Sequence, residues 1–274
     1  MIRKLEMTVL IDNMAAEPLV GEWGLSILIT ADDRRILLDT GASHQFAQNA
    51  ERLGIDLDTV DTGVLSHAHY DHADGMETFF LQNRSAPFLV RRGACENCYG
   101  VKDGELRYIG IQRGVLKRHE ARVQYVEGVC EITDGIWLVP HRRADYSAIA
   151  LRNDLYTLSE GARRPDDFAH EQSLVVETKR GLVVFNSCSH AGMTNILADI
   201  REMLGRGDVY AYVGGLHLYN LTDEELDALC EEIRRTPIEH IFTGHCTGEH
   251  AYAILSAKLG RRIEQFSSGF RFSF

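Results

Sequence analysis

Apolar residues in the opening stretch of the chain alternate with polar ones or run on without interruption, a spacing that belongs to strands rather than helices. Residues 4–12, 24–30 and 35–39 read in this way as three successive strands, the last two joined by a turn at Ala31-Asp32-Asp33. A helical period follows over 43–53, with Gly54 as its stop. Residues 60–66 then read as a strand, 73–81 as a helix and 86–90 as a further strand. From 91 to about 164 the pattern loses regularity, with scattered glycines and charges, and only 135–139 reads as a firm strand. This span is read as an insertion covering the functional end of one domain, 1–274.

The second half recovers its regularity. Residues 172–178 and 181–186 form a hairpin around Lys179-Arg180-Gly181, 193–204 a helix and 209–213 a strand. Thr222 and Glu225 stand at capping-box spacing before a helix that runs to 235, and 239–243 is the last strand read from the pattern. Strands alternating with helices predict an α/β class.

Composition narrows the range of partners. A chain of 274 residues, 45% of them hydrophobic, can bury a large core. The net charge of −11 argues against a broad nucleic-acid or anionic-membrane surface. A local basic pocket is still allowed, and Arg91, Arg92, Lys117, Arg118, His141, Arg142 and Arg143 are its candidates, with solvated surface charge as the competing reading. The first six residues lack an apolar leader core, and no run approaches the ~20 apolar residues of a membrane span. A cytoplasmic location is therefore expected, with a small molecule as partner, and the oligomeric state is left open. The six cysteines are expected as free thiols or ligands. Cys95-x-x-Cys98 has zinc-like or redox-like spacing but no second pair at knuckle distance.

The chemistry concentrates at Ser66-His67-Ala68-His69-Tyr70-Asp71-His72-Ala73-Asp74-Gly75. His67 and His69 are two apart, so on an extended segment they point to one side and share a cation. Asp71 and His72 follow where the chain turns into a helix, which aims them at a neighbouring position. One loop can thus serve a pair of divalent ions, zinc first, with manganese or iron as alternatives. Three later strands each end in a histidine beside small residues, His190, His217 and His245. Asp39, at the end of an earlier strand, either caps a turn or hydrogen-bonds the metal loop from behind.

His-x-His-x-Asp-His resembles the signature of the metallo-β-lactamase superfamily. The similarity extends over Gly24-Leu25-Ser26, Asp39-Thr40-Gly41, Phe168-x-x-Glu171, Cys188-Ser189-His190-x-Gly192-x-x-Asn195, Gly214-Gly215-x-His217-Leu218 and Gly244-His245-Cys246-Thr247-Gly248. Taken together these resemble the branch related to the archaeal dihydropterin-methyl-ribofuranosylaminobenzene-phosphate synthase. The resemblance implies a four-layer αββα sandwich with metals at one edge of its sheets.

On this reading His67, His69 and His190 hold a first metal, and Asp71, His72 and His245 a second, with a bridging hydroxide as nucleophile. His170 is the alternative third imidazole of the first metal. Cys188 stands where the superfamily usually has a bridging Asp, and is either a ligand of the second metal or an inert buried thiol. Asp71 also orients the nucleophile, and His217 is the candidate proton donor or oxyanion-binding group. The expected activity is metal-dependent hydrolysis of a small anionic ester, lactone or phosphoester. The rival readings are a phosphodiesterase or nuclease, an iron-dependent redox enzyme, and a catalytically silent metal-binding module.

Overall fold

The computed structural model describes residues 1–141 and 146–274. The first of two seven-stranded sheets runs Arg271–Ser273, Leu5–Ile11, Ser26–Ala31, Arg34–Leu38, Thr62–Val64, Phe88–Arg91, Val123–Val126 across its width. The second runs Ile263–Gln265, His240–Thr243, Val209–Val213, Gly181–Phe185, Gln172–Thr178, Ile136–Pro140, Cys130–Thr133. Hairpin neighbours pair antiparallel, as in Ser26–Ala31 with Arg34–Leu38. Strands separated by a helix, such as Gly181–Phe185 and Val209–Val213, pair parallel.

Alternation along the strands sorts their side chains into separate cores. Val9, Ile27, Ile29 and Leu38 of the first sheet meet Leu174, Val176, Val183 and Phe185 of the second in one buried cluster. Their chain neighbours Leu10, Leu28 and Leu37 point the other way, onto Phe46 and Phe79 of the helices Gln45–Arg52 and Met76–Gln82. On the far side Val175, Val184 and Tyr212 pack against Ile196, Leu226 and Leu255 of the helices Met193–Leu204, Asp223–Arg234 and Glu249–Leu259. Helix, sheet, sheet and helix therefore form four layers, the αββα arrangement expected from the sequence.

Three features differ from the sequence reading. The helix expected over 73–81 is two helices, Tyr70–Ala73 and Met76–Gln82, broken at Asp74-Gly75. A β-carbon on Gly75 would lie 2.1 Å from the carbonyl oxygen of Thr40, so the chain turns here against the strand end beside it. The span 91–164 is not purely an insertion, because Val123–Val126, Cys130–Thr133 and Ile136–Pro140 complete the two main sheets. What is added is a four-stranded sheet of Ala162–Pro165, Leu155–Ser159, Tyr99–Lys102 and Glu105–Tyr108, with the short helix Ser147–Arg152. The C-terminal helix Glu249–Leu259 and the strands Ile263–Gln265 and Arg271–Ser273 had no counterpart in the pattern reading; these two strands are edge strands of three residues each, too short for a period to register. Among the described residues no helix is long and apolar enough to cross a membrane.

Gly75→Ala forces a methyl group into the Thr40 carbonyl, and overpacking of this kind costs about 1–3 kcal/mol. Urea denaturation should show a lowered midpoint at unchanged slope; a midpoint equal to the parent's would contradict the packing described.

Candidate metal centre

The polar side chains singled out in the sequence gather where parallel strands of both sheets end, the usual ligand-binding edge of α/β folds. Asp39 follows Arg34–Leu38, the 66–72 loop follows Thr62–Val64, and Cys188 and His190 follow Gly181–Phe185. His217 follows Val209–Val213, and His245 follows His240–Thr243. Asp39, Ser189, His217 and His245 have positive φ (61°, 56°, 51° and 48°), a conformation uncommon for non-glycine residues and concentrated here at the strand ends.

His67, His69 and His190 form one group, with a ligand atom of each within 4.8 Å of the others and ring centroids 4.6, 4.9 and 4.8 Å apart. Asp71, His72 and His245 form a second: Nε2 of His72 lies 3.2 Å from Nε2 of His245, and Oδ2 of Asp71 lies 3.4 Å from His245 and 3.8 Å from His72. The groups adjoin, the rings of His67 and His72 being 4.2 Å apart.

Hydrogen bonds behind the rings decide which nitrogen faces inward. Asp39, wholly buried, accepts from the Ser66 amide at 2.7 Å, from the Ser66 hydroxyl at 2.6 Å and from Nδ1 of His72 at 2.8 Å. The single hydroxyl proton of Ser66 is thereby committed, so at the 2.8 Å contact between Ser66 Oγ and His67 the Nδ1–H must donate. Asn13 performs the same task for His245, its Oδ1 lying 3.1 Å from Nδ1, while Asp12 accepts from the His245 amide at 2.9 Å. Glu171 accepts from the amides of His190 and Ala191 at 2.8 and 2.9 Å, and Phe168 stacks on the His190 ring.

Nε2 of His67 and of His72 are thereby left unprotonated. Nε2 of His67, Nε2 of His69 and both ring nitrogens of His190 are buried and find no hydrogen-bond partner among the described residues, an arrangement that costs free energy unless something completes it. Nε2 of His72, unprotonated because Nδ1 donates to Asp39, lies 3.2 Å from Nε2 of His245. A divalent cation satisfies both conditions, so the donor set fits the metals that the sequence implies. Burial, reinforced by neighbouring imidazoles, keeps His67 and His69 neutral, with His69 lowered to about 3. Burial opposes ionisation of Asp71, yet His72 and His245 hold its carboxyl below the usual range. At neutral pH His67 and His69 are thus uncharged and Asp71 is an anion, while, against the effect of burial, Asp71 and Cys246 beside His245 push that imidazole up to about 9.

His170, the alternative ligand, has hydrogen-bond partners of its own and also falls in a donor group with His69, Cys98 and Asp166. Its Nδ1 accepts from the Ala68 amide at 3.1 Å, between the two loop histidines, and its Nε2 meets Asp166 at 3.2 Å. It braces the loop from behind, whereas the nitrogens of His190 are free to face inward. Cys188 lies in the site, its Sγ 3.2 Å from Nε2 of His72. The half-buried His217 packs on His190 with ring centroids 4.3 Å apart. Cys98 is buried with its sulfur grouped with His69, Asp166 and His170, while Cys95 is exposed.

The described candidates for a basic pocket are engaged with partners or exposed rather than gathered at the donors. Arg92 pairs with Glu127, Arg118 with Glu77, Arg91 donates to the Gly128 carbonyl, and His141 is buried against Ser173 and Asn186. Lys117 lies exposed on the short helix Val115–Arg118, and Arg142 and Arg143 lie outside the described residues. Cys246, Ser66, Asn13 and Asp12 were missed as site residues by sequence reasoning. Adjacency to His245, His67 and a strand end was the signal available for each.

Asp39→Asn keeps the shape of the side chain but replaces an acceptor oxygen with a donor facing Ser66 or His72. Metal affinity should fall about 10–100-fold, read by competition with a chromophoric chelator; an affinity equal to the parent's would refute the orienting role.

Comparison with known proteins agrees with the geometry. The family model for the metallo-beta-lactamase superfamily matches residues 24–150. A curated protein of Methanocaldococcus jannaschii, 7,8-dihydropterin-6-methyl-4-(beta-D-ribofuranosyl)-aminobenzene-5'-phosphate synthase, is 25% identical over 268 residues, 92% of this chain and 90% of that one. Zinc-bound PqqB from Methylobacterium extorquens shares the fold at 11% identity and a TM-score of 0.55, covering 97% of this chain and 99% of that one. The crystal structure of a metal-dependent hydrolase of the beta-lactamase superfamily superposes with a TM-score of 0.81 at 31% identity, covering 98% of each chain. With this likeness running from end to end, and the histidine loop where the fold requires it, the chain belongs to the metallo-β-lactamase superfamily.

Proposed function

We propose that the protein is a metal-dependent hydrolase with two divalent cations, zinc in the first instance, acting on a small anionic ester, lactone or phosphoester. The observation that carries this reading is the pair of adjoining donor groups, His67/His69/His190 and Asp71/His72/His245, the first with buried nitrogens that find no partner among the described residues. Imidazole with carboxylate suits zinc, manganese and iron, and a nearby thiol favours zinc among these. A cation pair of this kind supplies a nucleophile from water near neutral pH and polarises the bond to be broken.

The chain's own groups have separable tasks. Asp71, held ionised by His72 and His245, serves as a hydrogen-bond acceptor and orients the attacking group. His217, with neither ring nitrogen bonded among the described residues, stands beside His190 and donates a proton to the leaving group or binds its developing negative charge. His170 and Asp39 position the loop. Trp23, Tyr70, Ile109, Leu155 and Tyr219 wall a cleft of about 110 Å³ over the donors. A larger cavity of about 410 Å³ adjoins it through His190 and His217, with Ile149, Met193 and Leu229 among its apolar walls. Room on this scale suits a small molecule rather than a polymer. A phosphate-bearing pterin-type substrate is the more specific variant, supported by the extended similarity to the M. jannaschii synthase.

Protein purified without chelator should carry about two equivalents of a divalent metal, and less than one would count against the dinuclear reading. His67→Ala and His245→Ala should each lose metal and turnover together. Retention of both by either variant refutes its assignment. A screen over lactones, phosphodiesters and pterin phosphates then selects the substrate class.

A further inference from the structure

Of the buried cysteines, Cys230 has the surroundings of an inert thiol, the helical core that also contains Leu226 and Ile233. Cys188 and Cys246 do not. Their sulfurs lie 3.3 Å apart, with side chains almost sealed from solvent (3% and 2% exposed), in a ring of nitrogen and oxygen donors. Sγ of Cys188 is 3.2 Å from Nε2 of His72, and a ligand atom of each of Cys188, His245 and Cys246 falls within 4.8 Å of the other two. Cys246 follows His245 directly, and the short 3-10 turn His245–Thr247 brings imidazole and sulfur to the same place. The space for the sulfur is built in: a β-carbon on Gly215 would lie 2.4 Å from Sγ of Cys246.

We propose that Cys246 is a metal ligand, joining Cys188 so that the cation at the His72/His245 position is held by two sulfurs. The inference rests on the two-metal reading above and extends it. Two sulfurs in mutual contact and out of water need a shared proton or a shared cation between them, and the Nε2 lone pair of His72 aimed at the same place makes the cation the better partner. Thiolate donors select zinc over manganese or magnesium, which prefer oxygen. The metal preference of the second position is then set by the sulfur pair rather than by Asp71. Displacement of a thiol proton by the metal accompanies binding, so each sulfur enters as thiolate and releases its proton to solvent.

The full chain, purified under reductant and loaded with zinc, is examined by X-ray absorption together with total metal analysis. The inference expects two sulfur neighbours at about 2.3 Å for each pair of bound zinc ions. In the cobalt-loaded protein the sulfur-to-metal charge-transfer absorption should fall to about half in Cys246→Ser and in Cys188→Ser, and vanish in the double variant. One sulfur neighbour, or a Cys246→Ser band as intense as the parent's, overturns the inference. Should a serine variant not fold, the zinc-loaded parent still decides the sulfur count. The metal count tests the two-metal reading separately, since two equivalents with a single sulfur neighbour would leave that reading standing and remove this one.

Discussion

A buried carboxylate organises the centre. Asp39 is removed from water at the end of a strand, where an ionised group is tolerated only with its hydrogen bonds made. It makes three, two to Ser66 and one to His72. Through the Ser66 hydroxyl it fixes the tautomer of His67 in the first donor group, and directly it fixes that of His72 in the second. One acid therefore sets the inward nitrogen on both sides of the centre, and Asn13, after the strand Leu5–Ile11 of the same sheet, repeats the arrangement for His245.

The two halves of the polypeptide are held to this point by backbone as well as side chains. The Gln172 amide donates to the Ser66 carbonyl at 2.9 Å and its side chain to the Leu65 carbonyl at 2.8 Å, so the first strand of the second-half hairpin is anchored on the metal loop. Glu171, one residue earlier, grips the amides that precede the helix Met193–Leu204 and carries His190 into register. Adjacent residues thus tie the loop of one sheet to the strand end of the other. The positive φ values of Ser189, His217 and His245 are the local cost of turning imidazoles inward from strands that have just ended. Packing of the sandwich core behind them offsets that cost.

The surroundings of the cysteines and of the basic residues show how little a residue type means without its neighbours. Cys230 sits in hydrocarbon, Cys188 and Cys246 sit among imidazoles, and of the Cys95 and Cys98 pair that matched a metal spacing one is exposed and one buried. Of the basic residues in the 91–164 span, Arg92 and Arg118 are spent on carboxylates and His141 on a buried polar cluster. A charge marks a binding pocket only when nothing nearer neutralises it.

Much of this was legible along the chain. The strand period of residues 5–11 and 26–38, the helix Met193–Leu204 and the capping box of Thr222 and Glu225 are local properties, and local spacing reports them faithfully. The loop from His67 to His72 could be read as a metal site because its donors are neighbours in sequence. The break at Gly75, the sheet strands Val123–Val126 and Cys130–Thr133, the short edge strands of the C-terminus, the surroundings of His190 and His170, and the meeting of Cys188 with Cys246 were not. Each depends on what a distant segment places opposite: the Thr40 carbonyl, a neighbouring strand, the Ala68 amide, or a sulfur 58 residues away. The sequence by itself determined the elements and the nature of the donors. The tertiary structure alone decided which donors converge, because strand order across a sheet is set by long-range packing and leaves no periodic trace in the chain.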